Sequence, residues 1–272
     1  MAISIGSNTA SLSAGRGISQ AKSRIEDSFD RLSSGSRINK PSTDPANLAV
    51  AIELLANVKT SAVAARNISD GVSVASIAEG SISSASDITG RMGELATQSA
   101  NGTLTNEQRS VLNEEYQALS SELDRIAGST EFNGRSLLNG SSSIGLQVGT
   151  DSSSNSRIDL SLPGVSSQQL GLTGDISTQE GARQAIDQTT QSIDTLSNAQ
   201  AEIGSVVSRL TSAYENLKVS ELNQQSAASR ILDTDVAAES ANLIANNIRL
   251  KASVAIQAQA NTIPQTALSL LS

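Results

Sequence analysis

The stretch of sequence that decides the fold is IDQTTQSIDTLSNAQAEIGSVVSRLTSAYENL, residues 186–217. Its large apolar residues recur in intervals of seven, which are divided into steps of three and four. This spacing predicts an α-helix that buries one narrow seam against other helices. The residues of the seam are Ile186, Ile193, Leu196, Ile203, Val207, Leu210, Tyr214 and Leu217.

Four further runs of apolar residues have helical spacing and predict four more helices. A turn-rich break at residues 99–103 allows the helix after it to fold back antiparallel to the helix before it. A polar interval at residues 221–226 separates the last run from the heptad at 186–217. We expect the first and last helices to pair with each other. The four runs occupy about residues 18–40, 48–95, 112–126 and 228–270.

The middle of the chain has a different pattern. Apolar residues alternate with other residues at 144–148 and again at 158–162, and the link GTDSSSNSR at 149–157 is polar and turn-forming. This arrangement predicts a β-hairpin at about residues 144–162. Residues 163–181 contain one proline and four glycines, which favours loops and tight turns. The predicted fold is mainly α, an elongated antiparallel helical bundle or coiled coil with one small β-hairpin and paired N- and C-terminal helices.

Composition excludes most kinds of catalytic site. The 272 residues include no Cys, no His and no Trp, so thiolate and imidazole chemistry and ordinary zinc sites are excluded. The carboxylates lie on stretches with a polar face, which is typical of solvated helix surfaces. We therefore predict a protein that is not an enzyme, with no catalytic residues, no metal ligands and no cofactor.

Charge and hydropathy restrict the partners of the chain. A net charge of −8 argues against a nucleic-acid partner, which needs a concentrated basic face. No stretch approaches 18 uninterrupted apolar residues, so we expect no membrane-spanning helix. The first residues, MAISIGSNTASLSAGRG, lack the basic and apolar segments of a secretory signal peptide.

The two terminal helices are candidates for self-assembly. An amphipathic pair can bury its seam within its own domain, or it can gain burial from neighbouring copies. Both ends are rich in small residues and poor in large anchors, so the pair makes a small core alone, and this favours a polymer. The candidate assembly residues are Ile18, Ile25, Phe29, Leu32, Leu243, Leu250, Val254, Leu268 and Leu271.

Four blocks of sequence resemble those of bacterial flagellin. They are LSSGSRIN at 32–39, RMGELATQSANG at 91–102, DRIA at 124–127 with FNG at 132–134, and AQANTIPQ at 258–265. The resemblance covers about residues 1–140 and 180–272. Long flagellins carry large outer domains where this chain has only residues 141–180, so it resembles the minimal form with filament-core and inner rod domains alone.

The resemblance implies a domain organisation and a function. Residues 1–42 and 223–272 would form the two halves of the filament-core domain, and residues 43–222 the rod domain. The chain would be exported unfolded through the flagellar type III system and would self-assemble into the extracellular filament used for swimming. The implied partners are copies of itself, the flagellar cap and hook–filament junction proteins, and an export chaperone, with no nucleic acid and no membrane.

The resemblance also implies recognition of the monomer by Toll-like receptor 5. The matching residues are Arg91, Leu95 and Glu115. Arg91 and Leu95 are four positions apart and therefore share a helical face, beside which a folded-back third helix could place Glu115. The alternative is that Leu95 ends the core seam and that the two charges are solvated.

Two other interpretations stay open at the level of sequence. A hook–filament junction protein shares both terminal helices, although the blocks at 91–102 and 124–138 favour flagellin. A chemoreceptor-like signalling coiled coil is also rich in Ala and Ser, but it has heptads running through a single hairpin tip. The predicted β-hairpin opposes that interpretation.

Overall fold

The computed structural model describes residues 7–271, without the side chains of residues 265 and 267–271. Within this part of the chain it has five α-helices and four short strands, so the predicted mainly α fold with a hairpin and paired terminal helices is confirmed. The chain divides into two compact units, unit 1 (Met1–Ala56 and Asn223–Ser272) and unit 2 (Asn57–Leu222). The elements are α1 (Thr9–Ser34), α2 (Pro45–Ser99), α3 (Asn106–Ser129), β1 (Glu131–Phe132), β2 (Arg135–Ser136), β3 (Ser142–Gln147), β4 (Arg157–Leu162), α4 (Gln179–Leu232) and α5 (Val236–Leu271).

Local sequence accounts for several helix ends. A capping box begins α3, in which Thr105 and Gln108 each bond the backbone N–H of the other. Gly35 ends α1 with a φ of 69°, a left-handed conformation that glycine adopts without strain. The polar interval at residues 221–226 does not end a helix, because five of its six residues are polar and none is a helix breaker. The structure therefore corrects that boundary, and α4 continues to Leu232.

In unit 1, α1 packs antiparallel along α5 through a heptad seam. Asn8 Nδ2 donates to the carbonyl of Ala260 at 2.8 Å at one end, and the backbone N–H of Thr234 donates to the carbonyl of Gly35 at 3.0 Å at the other. Small or polar residues alternate along the seam with half-buried Ile and Leu. On α1 the seam residues are Ala14, Ile18, Ala21, Ile25, Ser28 and Leu32, and on α5 they are Glu239, Leu243, Asn246, Leu250, Ser253, Gln257 and Ala260.

The structure corrects two residues of the apolar spacing that predicts the seam, because Ser28 and Ser253 take the seam positions in place of Phe29 and Val254. Ser28, which is 3% exposed, lies in the seam, whereas Phe29 is 57% exposed. Ser28 continues the alternating steps of three and four between Ile25 and Leu32, and its hydroxyl donates to Glu239 Oε1 at 2.5 Å. Arg31 lies 3.6 Å from the other oxygen of the same carboxylate. A hydrophobicity pattern favours Phe over Ser at this point, because it does not record the partner across the seam.

Unit 2 is built around one apolar core that α2, α3, α4 and the β3–β4 hairpin share. The heptad at 186–217 contributes Leu196, Ile203 and Leu210, each 0% exposed and seven positions apart. This confirms the predicted seam, although Tyr214 at its far end is 37% exposed. The other elements supply Ile82, Met92, Tyr116, Leu123, Leu160 and Leu162.

Both strand pairs of the chain are antiparallel hairpins. In the predicted one, Ile144 pairs with Leu160 and Leu146 with Ile158, and alternate side chains of β4 are buried. A second pair, β1 with β2, was not predicted. Its turn has positive φ at Asn133 (49°) and Gly134 (76°). Asn-Gly is the dipeptide that such two-residue turns favour, so this signal was present in the sequence.

The predicted loop between β4 and α4 is held against α3 by a polar stripe. Asn113 Oδ1 accepts from the backbone N–H of Ile176 at 3.0 Å, and Gln117 Nε2 donates to the carbonyl of Gly174 at 2.9 Å. Farther along α3, Asp124 accepts from both the N–H and the hydroxyl of Ser167. These bonds satisfy the backbone of a segment that has no ladder partner, while its Leu172 and Ile176 fill the core.

Tyr116 makes the stability of unit 2 sensitive to alkaline pH. Its side chain is 0% exposed, and burial raises its pKa to about 12. An unfolded tyrosine loses its proton near pH 10, so the free energy of unfolding falls as the pH rises from about 10 to about 12. We expect Tyr116→Phe to remove about 2–3 kcal/mol of this loss, as measured by urea unfolding between pH 8 and pH 12.

Tyr214→Phe is the matched control because Tyr214 is partly exposed. Comparing the two variants separates the loss of a buried hydroxyl from the loss of a partly exposed one. At neutral pH, Tyr116→Phe should be no less stable than the wild type, since the hydroxyl it removes has no hydrogen-bond partner within the described chain. Equal alkaline slopes for Tyr116→Phe and the wild type would contradict the assignment.

Candidate functional site

Large apolar side chains remain exposed over much of unit 1. They lie on α1, on the first turns of α2 and along α5, where they cover faces that no described part of unit 1 buries. Single exposed apolar residues are ordinary, but faces of this extent mark surfaces that bind protein. The residues are Leu12, Phe29, Val50, Ile52, Leu55, Val236, Ile244, Ile248, Val254, Ile256 and Ile263.

The predicted assembly residues fall into two groups. Ile18, Ile25, Leu32, Leu243 and Leu250 are half-buried in the seam between α1 and α5. Phe29 and Val254 are exposed, at 57% and 51%, and are therefore available to another molecule. The side chains of Leu268 and Leu271 lie outside the described residues.

Sequence reasoning missed an outer stripe on α5. Ile244 and Ile248 are one helical turn apart and are 60% and 62% exposed. They lie on the side of the helix turned away from the seam residues Leu243 and Leu250. The sequence signal for this stripe is an apolar pair four positions apart that is shifted by one position from the heptad residues. A helix pair that buries only its own seam does not need this second apolar pair.

Helix α2 contains an 18-residue window with a mean hydropathy of 1.5, of which 22% is buried. By length and composition alone this helix could cross a membrane. Helices that pack against other proteins satisfy the same criterion, so the window carries no membrane argument.

A polar cluster in unit 2 joins α2 to α3. The guanidinium of Arg91 donates through Nη2 to Glu115 Oε1 at 2.9 Å and through Nη1 to Glu94 Oε2 at 2.8 Å. Hydrogen bonds to Glu94 and then Glu115 raise the pKa of Arg91 above its ordinary value. All three side chains are about half exposed or more, so the cluster is open to a partner.

Leu95 lies in the core and not on this surface. It is 1% exposed, whereas Arg91, four positions earlier, has 51% of its side chain exposed. The structure therefore brings Arg91 and Glu115 together, as the antiparallel arrangement of the two helices predicts, and places Leu95 in the core. Glu94, which the sequence analysis did not single out, completes the cluster.

No described group resembles a catalytic or metal centre. Among residues 7–271, no three acidic side chains are placed to hold one metal ion. The surface of unit 1 offers apolar side chains for burial, and the cluster on unit 2 offers paired charges. Both properties suit binding to protein.

Two family models match the chain. The model of the bacterial flagellin N-terminal helical region matches residues 5–143. The model of the bacterial flagellin C-terminal helical region matches residues 186–271. Between them they account for α1, α2, α3 and nearly all of α4 and α5.

Curated relatives match over almost their whole length. A flagellin of Halalkalibacterium halodurans is 35% identical over 269 residues, which covers 98% of this chain and 99% of the relative. A flagellar filament 30.7 kDa core protein of Treponema maltophilum is 32% identical over 285 residues, with the same coverage of 98% and 99%.

A solved structure shares the fold. It belongs to a protein of Vibrio parahaemolyticus assigned as flagellar hook-associated, with a TM-score of 0.58 over 70% of this chain and 100% of that chain. Its sequence identity is 15%, so the likeness concerns the fold alone. The sequence matches, in contrast, are to flagellins.

Proposed function

Since the chain belongs to the bacterial flagellin family and is a structural subunit of the flagellar filament, not an enzyme, we propose that it self-assembles through the exposed apolar faces of unit 1. The proposed contact residues include Phe29 and Val254 and extend to the outer stripe of α5. The seam residues Ile18, Ile25, Leu32, Leu243 and Leu250 contribute by holding α1 and α5 together, and Leu268 and Leu271 by extending the apolar end of the chain.

The observation that carries this proposal is the distribution of exposed apolar side chains. Unit 2 buries most of its large apolar residues in a core of its own and leaves six of the described ones exposed, whereas unit 1, which is the smaller unit, leaves eleven exposed. Burial of apolar surface contributes about 25 cal/mol per Å², so neighbouring copies that cover these faces would be held strongly.

The route to the filament is part of the same proposal. The chain is exported unfolded through the flagellar type III system, with an export chaperone, and is placed in the extracellular filament. There it contacts other copies, the cap and the hook–filament junction proteins. The domain boundaries implied at 42/43 and 222/223 separate the filament-core halves from the rod.

The monomer is also a proposed ligand of Toll-like receptor 5. The open cluster of Arg91 and Glu115 supports this, because paired charges at the surface can exchange their partners for those of a receptor. Leu95 would act from beneath, by holding α2 in place in the core. Covering of this surface on assembly would make recognition specific to the monomer.

One experiment tests assembly and recognition together. The purified chain is polymerised, examined by electron microscopy, and applied to receptor reporter cells either as monomer or as polymer. We expect filaments, signalling by the monomer and much weaker signalling by the polymer. Arg91→Ala should reduce signalling by about tenfold with an unchanged circular dichroism spectrum, since a charged contact at an interface contributes on that order.

Arg125→Ala is the matched control, because Arg125 is likewise exposed and paired with a carboxylate, Glu122, on α3. It should signal like the wild type. A chain that forms no filaments would refute the assembly proposal. A wild-type monomer that does not signal, or an Arg91→Ala variant with full activity, would refute the receptor proposal alone.

A further inference from the structure

The charge of the chain is concentrated in unit 2. That unit has ten Lys and Arg against nineteen Asp and Glu, a net charge of −9, whereas unit 1 has nine against eight. Two copies of unit 2 therefore repel each other at ordinary pH. Lateral or axial contact between them requires a place where opposite charges meet.

Unit 2 contains such a basic place, which we call the arginine groove. It is an open groove of about 500 Å³ between β4 and α4. Two arginines and several neutral polar side chains line it, and the described lining includes no carboxylate. Arg157 has Asp159 3.8 Å away outside the groove, while Arg209 takes part in no ion pair within the described chain. The polar lining residues are Arg157, Arg209, Ser154, Asn155, Ser208 and Asn216.

The opposite part of unit 2 is an acidic end, where α2 finishes and α3 and α4 begin. Gln179 Nε2 donates to the carbonyl of Ala100 at 3.0 Å, and the hydroxyl of Ser99 donates to the carbonyl of Ile176, so these elements meet there. The cations of this end include Arg183, which is exposed, and Arg109, which is 4% exposed and donates to the carbonyl of Asn101 at 2.7 Å. The carboxylates of this end are exposed and take part in no ion pair within the described residues. They are Glu107, Glu114, Asp175, Glu180 and Asp187.

The two charged regions cannot neutralise each other within one molecule. Arg209 and Asp187 lie on the same helix, 22 positions apart, a distance of about 33 Å at 1.5 Å per residue. At physiological salt the screening length is about 8 Å, so the attraction across that distance is lost. A second molecule can bring such an acidic surface to the arginine groove.

We propose that the arginine groove binds the acidic end of unit 2 of a second copy, in a head-to-tail contact. The contact rests on the proposed self-assembly and names the surfaces that guide it. It is heterologous, with different surfaces on the two partners, so it repeats along a row of copies without closing. Unit 1 supplies apolar burial, and the arginine groove selects the order and direction in which unit 2 stacks.

The test exchanges the charges of the two surfaces. Arg157→Glu/Arg209→Glu reverses the groove, and Glu180→Arg/Asp187→Arg reverses the acidic end. All four side chains are exposed, so the helical content should not change. We expect each variant alone to raise the critical concentration for polymerisation by about tenfold or more, because like charges then face each other at every contact.

An equimolar mixture of the two variants should polymerise within about twofold of the wild-type critical concentration. When the two variants alternate along a row, the groove that is reversed to glutamate faces the end that is reversed to arginine, and the native arginine groove faces a native acidic end. Every contact then joins opposite charges. The control adds Glu79→Arg/Glu131→Arg to the groove variant itself, which restores the same charge at exposed positions away from the acidic end. This control chain should not recover, because its reversed groove still faces a native acidic end.

The outcomes separate the inference from the proposed function. A wild-type chain that does not polymerise would overturn self-assembly itself. A wild-type chain that polymerises, together with reversed variants that polymerise equally well or a control chain that recovers fully, would overturn the head-to-tail contact and leave self-assembly standing.

Discussion

The double variant Ile244→Glu/Ile248→Glu is expected to remain a folded monomer under conditions in which the wild-type chain forms filaments. Both side chains are more than half exposed, so the substitution costs the monomer little stability. In the filament the outer stripe of α5 would be covered, and each new carboxylate would have to be desolvated without a partner, at a cost of several kcal/mol. We expect the critical concentration to rise by more than about hundredfold.

The matched control is Ala238→Glu/Asn242→Glu. It adds the same charge to α5 at the same i, i+4 spacing, on exposed positions of a different side of the helix. Circular dichroism and thermal unfolding of both variants should match the wild type, and sedimentation should show polymer for the control alone. Normal polymerisation of Ile244→Glu/Ile248→Glu would show that the outer stripe of α5 is not an assembly surface.

Leu95→Ala is expected to destabilise unit 2 by about 2–5 kcal/mol, the usual cost of truncating a fully buried leucine. Leu95 is 1% exposed and belongs to the core that α2, α3 and α4 share. Urea unfolding followed by circular dichroism measures the change. The control is Leu222→Ala, which removes the same atoms from a side chain that is 65% exposed. It should change the free energy of unfolding by less than about 0.5 kcal/mol.

This result bears on how receptor recognition is tested. If Leu95→Ala weakens signalling, the loss reflects a destabilised α2, whereas a loss in Arg91→Ala reflects the surface itself. An unchanged unfolding midpoint for Leu95→Ala would place Leu95 outside the core and would make it a contact residue.

Most of the fold follows from local patterns. The heptad at 186–217 predicts α4, and the alternating runs around 149–157 predict the β3–β4 hairpin, because each pattern records which side of an element must be buried. The β1–β2 pair was missed although Asn133-Gly134 marks its turn. The pattern does not predict the continuation of α4 through residues 221–226, because the apolar spacing lapses there while the helix persists.

The candidate surfaces were predicted less completely than the fold. Arg91 and Glu115 meet as the antiparallel helices require, but Glu94 was not foreseen as the second partner of Arg91. On α5, a heptad search identifies Leu243 and Leu250, which face α1, and passes over Ile244 and Ile248, which face outward. A periodicity identifies the strongest stripe of a helix and gives no weight to a second one.

The sequence by itself determined that the chain is mainly helical and acidic, lacks thiol and imidazole chemistry, and belongs with flagellins. These properties depend on composition and on spacings of three, four and seven residues, which a helix expresses locally. Only the tertiary structure decided that Ser28 and not Phe29 lies in the seam with α5, that Leu95 is core while Arg91 is surface, and that Arg91 bonds Glu94 as well as Glu115. The physical reason is that the side of a helix that becomes buried depends on what packs against it, and those partners can lie far away in the chain, 211 residues in the case of Ser28 and Glu239.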